Sequence, residues 1–189
     1  MERRLELIGE MTPAITIHLA ATFAALVLGA FVLWRRKGDG RHRLLGRIWV
    51  GLMLVAAATS AFIHDIRVFG PFSPIHVFTI VTPAVLACGV WAIRSRARLG
   101  PRRALAIHMT SMRLLYATGL LIAGGFTLLP HRLLGRLTFG ESIPAINVAV
   151  VAAMALAGAA LTVHALREHR RLVLGPALDA AKPATSPAR

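Results

Sequence analysis

The sequence predicts an all-α integral membrane protein with five transmembrane helices, the first four forming an antiparallel bundle. Three observations carry this. Hydrophobic residues make up 56% of 189 residues, with a mean hydropathy of +0.65, too apolar for an ordinary soluble domain. Five stretches reach the roughly 20 residues that a helix needs to cross about 30 Å of hydrocarbon. Those stretches are apolar nearly all round, where the helices of a soluble bundle would keep polar faces.

The first span is expected at Met11–Trp34, too long for the apolar core of a signal peptide and without a convincing cleavage site. Lys37-Gly38-Asp39-Gly40 then breaks the helix within a basic turn. The second span is placed at Leu44–His64 and the third at Pro74–Ile93, separated by a loop containing Gly70-Pro71. Gly100-Pro101 marks the next turn, leading to a fourth span at Ile107–Leu129. A longer connection follows, with a short interfacial helix expected at His131–Leu137. The fifth span, Pro144–Leu166, is rich in alanine, which favours close helix packing, and its Asn147 is assigned a structural role. The domain organisation is thus a short segment 1–10, a membrane domain 11–174 and a disordered tail 175–189.

The formal charge of +14 raises nucleic-acid binding, but the placement of the charges excludes it. Basic residues gather at Arg35–Arg47, Arg94–Arg103 and Arg167–Arg189, on alternate connections, with no aromatic-interleaved basic face. This is the positive-inside pattern, predicting an outer N-terminus and a cytoplasmic C-terminus in a bacterial inner membrane, with the basic loops at anionic lipid. The single cysteine, Cys88, excludes an internal disulfide and a Cys-x-x-Cys-His haem attachment site, and is expected to be a small buried residue.

Histidines recur near alternating ends of the first four spans: His18, His42, His76 and His108. Ionisable side chains in a bilayer are costly and mark functional paths. On an antiparallel bundle His18 and His76 form an outer diagonal pair and His42 and His108 an inner one. Two such pairs are the axial ligand sets of two b-type haems, an arrangement for moving electrons across the membrane, between a quinone or redox partner and an outer acceptor. Gly46, Gly51, Gly124 and Gly125 would leave room for a porphyrin face, or else serve helix packing. Arg47 and Arg113 are candidates for haem propionates or a quinone headgroup, against lipid snorkelling as the ordinary alternative. An outer cluster of His64, Asp65 and His76 is the competing site, for zinc or copper. Met109 and Met112 are softer ligands or, more simply, packing residues; His131, His164 and His169 are expected at the interface without a ligand role. A third alternative is a non-catalytic assembly protein, alone or as a homo-oligomer, whose histidines hydrogen-bond between helices. No nucleotide-binding or hydrolase motif is present to make it a soluble-type enzyme.

Several of these residues lie in a wider pattern. It comprises His18 with Gly29-Ala30, Lys37-Gly38, the run His42 to Val50, Ser60 to His64, and Phe72 to His76. It continues through His108, Met112 and Tyr116 to Ile122–Pro130. From His18 to Arg132 the chain resembles the bacterial membrane family called domain of unknown function 2306. The resemblance implies a small multi-span inner-membrane protein and no established activity. The family usually carries glycine where this chain has His131. The diagonal histidines are also similar in architecture to two-haem cytochromes of the b561 and ferric-reductase kind, a likeness of fold alone.

Overall fold

In a computed structural model, described at residues 9, 11–63, 77–129, 132–139 and 144–180, every regular element is helical. The first helix, α1, is Pro13–Trp34; Thr12 caps it by accepting from the Ile15 amide, and Pro13 occupies the first turn, where no donor is needed. Gly38 takes a φ of +92°, which reverses the chain, and Asp39 caps α2, Gly40–Ser60, by accepting from the His42 amide at 2.6 Å. The third helix, α3, is Val77–Arg94. One turn, α4 at Arg96–Leu99, leads to Gly100, whose φ of +82° sets the next entry, with Pro101 opening α5, Pro101–Leu114.

The fourth span does not stay α-helical. Leu115–Ile122 is a π-helical segment that passes into α6, Ala123–Phe126, so one continuous rod of 26 residues crosses from Pro101 to Phe126. A short helix, α7, lies at Leu133–Phe139, two residues beyond the expected interfacial position. The last, α8, runs from Pro144 to Ala180, well past the expected end at Leu166 and through the start of the expected tail at 175. Its extension is mostly good helix formers, arginine, leucine and alanine, and it continues through Gly175-Pro176 to Ala180.

Among the described residues five helices are long and apolar enough to cross a membrane. Helix α1 packs on α2, α2 on α3, α3 on α5, and the π segment closes the ring against α1. Among the described residues the diagonals, α1 with α3 and α2 with α5, share no comparable interface. The expected four-helix bundle is therefore present, and α8 lies outside it against α5 and the π segment. Large apolar side chains such as Phe23, Ile80 and Leu156 are about 70% exposed, as a lipid-facing surface requires and a water-facing one would not tolerate. Cys88 is on this exposed surface, not in the core as the sequence suggested. Lipid is as apolar as the bundle interior, so a small apolar residue is stable on either side.

The core fills the middle of the bundle. Ala25, Trp49, Met53, Leu86, Leu115, Tyr116 and Leu120 form one buried cluster. The Trp49 indole donates to the Ala25 carbonyl at 3.0 Å, and the Tyr116 hydroxyl donates to the Leu26 carbonyl at 3.1 Å. Both rings close on Gly29, where an added Cβ would stand 2.6 Å from Trp49 Nε1 and 2.7 Å from the Tyr116 ring.

Candidate functional site: polar groups at the two ends of a filled bundle

The described histidines of the bundle flank this filled centre. His18 precedes Ala25 by seven residues, His42 precedes Trp49 by seven, and His108 precedes Leu115 by seven. Each therefore lies about two helical turns, roughly 10 Å along its helix, from the packed middle.

His18 on α1 is half-buried, with Nδ1 at 2.9 Å from the Ala56 carbonyl and 3.3 Å from Thr59 Oγ1, both on α2. Donation from Nδ1 to the carbonyl fixes the ring and leaves Nε2 as the basic nitrogen. His108 on α5 repeats this device at the other end, with Nδ1 3.1 Å from the Gly89 carbonyl of α3. Close approach there depends on Gly89, since a Cβ would meet Met112 Cε at 2.5 Å and Ser111 Cβ at 2.9 Å. Met112 is thus a packing residue of the α3–α5 contact.

His42 differs. Its Nδ1 is buried without a hydrogen-bond partner. Gly46, one turn further along the same face, has open space beside it. His42, in the first turn of α2, and His108, seven residues into α5, both lie towards the end of the bundle that carries the basic turns. Their expected outer counterparts, His76 with His64 and Asp65, lie outside the described residues, as does His131. Among the described residues no group of three or more His, Cys, Asp or Glu could hold a metal ion by itself.

The glycines divide. Gly51 is exposed away from the bundle, and Gly125 packs against Met154 of α8, so neither offers a porphyrin face. Arg47 is exposed on α2, as a snorkelling side chain would be. Arg113 is only 11% exposed and ion-pairs with Glu168 of α8, so a carboxylate of the chain itself occupies the place expected for a propionate. Glu168 also faces His164 at 3.4 Å, and Thr110 Oγ1 lies 3.1 Å from His169 Nδ1. One sign of Glu168 is legible in the sequence: a lone carboxylate, one turn from His164, inside an otherwise basic run.

Asn147 is fully buried at the start of α8, its amide 3.5 Å from the Leu128 carbonyl at the end of the fourth span. That contact ties the start of α8 to the turn after the fourth span, while Asn147 Oδ1 is buried without a partner.

This fold accompanies a family match over most of the chain. The model of the predicted membrane protein family DUF2306 matches residues 15–166. The chain belongs to that family. No curated protein and no solved structure matches it. The DUF2306 match begins within α1 and ends within α8, so it takes in all five candidate spans and every described histidine named above except His169.

Proposed function

We propose that this DUF2306 protein is a b-type haem-binding membrane protein that carries electrons across the bacterial inner membrane. The observation that supports it best is the inner diagonal pair: His42 and His108 towards the same end of the bundle, one with a buried, partnerless Nδ1 and the other fixed through Nδ1 on a backbone carbonyl. A buried imidazole nitrogen without a partner is unfavourable unless something else satisfies it. Ligating histidines characteristically direct their second nitrogen to a carbonyl, which sets the tautomer and raises ligand basicity.

The donor set suits haem iron better than zinc or copper. Two imidazoles from opposite helices complete the axial positions of a haem, whereas a zinc site needs three or four ligands. His42 and His108 would hold the inner group, with Gly46 leaving space on the His42 face. His18, oriented by Ala56, would serve an outer group with His76. When bound, haem supplies reversible one-electron chemistry with no open coordination position. The chain's own residues orient the imidazoles through Ala56 and Gly89, and Trp49, Met53, Leu86 and Tyr116 exclude water from the span between the two levels.

Protein purified in detergent from haem-replete cells should be red, with a Soret band that shifts on reduction by dithionite. His108→Ala should lose at least the inner share of that band, while His164→Ala, outside the bundle, should keep all of it. Colourless protein that remains monodisperse and helical overturns the reading.

A further inference from the structure

A second polar site lies outside the bundle, between the fourth and fifth spans. Arg113 from α5 meets His164, Arg167, Glu168 and Arg171 from α8, around a groove of about 420 Å³. The α8 residues fall at i, i+3, i+4 and i+7 and so share one helical face. Three guanidiniums against one carboxylate leave two formal positive charges there, before any protonation of His164. Glu168 engages Arg113 and His164, whereas Arg167 and Arg171 are exposed.

Two markers place the groove at the membrane surface. Glu168 is 24 residues beyond Pro144, about 36 Å along α8, which just exceeds a hydrocarbon core of about 30 Å. Trp91, 55% exposed, lies two residues beyond Gly89, which packs on Ser111 and Met112 beside Arg113. Exposed tryptophans sit at the headgroup level. Towards the membrane interior the flank of α8 beside Arg167 turns apolar: Val163, one turn before it, is 45% exposed, and Leu156, two turns further back, is 71% exposed.

We infer that this groove binds the phosphate headgroup of an anionic membrane lipid, with Arg167 and Arg171 as the phosphate donors. Arg113, held by Glu168, sets the positive floor. Guanidiniums suit phosphate oxygens through paired N–H donors, and basic pockets between spans at this depth are lipid-headgroup sites. Val163 and Leu156 offer the acyl chain an apolar path, which a free phosphate ion would not use. The inference stands on α5 and α8 alone and does not require haem.

The test compares protection of the detergent-solubilised full chain against thermal unfolding by dioleoyl phosphatidylglycerol, dioleoyl phosphatidylcholine and inorganic phosphate. Phosphatidylglycerol should act at a concentration about tenfold or more below that of phosphatidylcholine. Arg167→Gln/Arg171→Gln should remove that preference. Arg96→Gln/Arg98→Gln, which deletes equal charge on exposed α4, should retain it. Equal protection by both lipids, a preference that survives in the α8 variant, or its loss in the α4 variant overturns the proposal. Equal protection by inorganic phosphate overturns the lipid assignment in favour of a free anion.

Discussion

The contact of α1 and α2 with the π segment and the contact of α5 with α8 are built from opposite materials. The first is an apolar wedge: Trp49 and Tyr116 lie on Gly29, with one hydrogen bond each to an α1 carbonyl. The second, at its basic end, is held by polar contacts, the Arg113–Glu168 ion pair and the Thr110–His169 hydrogen bond. In lipid there is little hydrophobic gain from bringing helices together, so close packing and polar contacts must do it. The wedge fixes the spacing of the bundle, and the polar contacts fix the register of the outer helix against it. Function is then expected where the wedge stops, because a filled centre leaves room only at its ends.

The sharpest way to break this division is to remove one member of the ion pair. Arg113→Met leaves Glu168 without its main partner; losing one partner of a buried pair costs about 3–5 kcal/mol, and the lower end applies because Glu168 is 32% exposed. Arg113→Met/Glu168→Met should be less destabilised than Arg113→Met alone, since no orphaned charge remains. Thermal unfolding in detergent reads both. A double variant as unstable as the single would mean that Arg113 acts through packing, and that the two contacts are alike.

A smaller loss is expected at the wedge. Gly29→Ala forces a methyl group against Trp49 and the Tyr116 ring, an overpacking that costs about 1–3 kcal/mol. Gly46→Ala, where a Cβ meets only open space, should be neutral or gain up to about 1 kcal/mol from helix propensity. Equal effects at the two glycines would remove the distinction between a filled middle and an open end.

How far the sequence reveals this arrangement follows from the range of the forces involved. Spans and turns depend on local composition, and Gly38-Asp39 and Gly100-Pro101 reveal two helix boundaries because their backbone and capping requirements are local. Neighbour order follows from short connections, which is why the diagonal relation of α2 and α5 was accessible. Helix rotation is not local. That Trp49 and Tyr116 fill the centre, that Gly51 faces out, and that Cys88 meets lipid all depend on how side chains interlock between helices. The π segment at Leu115–Ile122 is likewise a tertiary outcome: nothing in its composition sets it apart from an apolar α-helix. The role of Glu168 is not legible locally, because its partner is 55 residues away on another helix.

The smallest effect tests the basic turn that positions His42. Asp39 accepts from the His42 amide and from Arg35 at 2.7 Å, and these contacts, the backbone one foremost, hold its carboxyl below the usual carboxylate range. A lowered folded-state pKa means that the carboxylate's contribution is complete above its unfolded value, near 4, and is lost as pH falls through the lower folded value. Asp39→Asn keeps a capping side chain but cannot titrate. Wild type should therefore be slightly the more stable at neutral pH, and the gap should close below pH about 4. Urea unfolding of the two proteins across that window measures the gap. A constant difference would show that Asp39 acts as a neutral cap, leaving the orientation of His42 independent of charge at this turn.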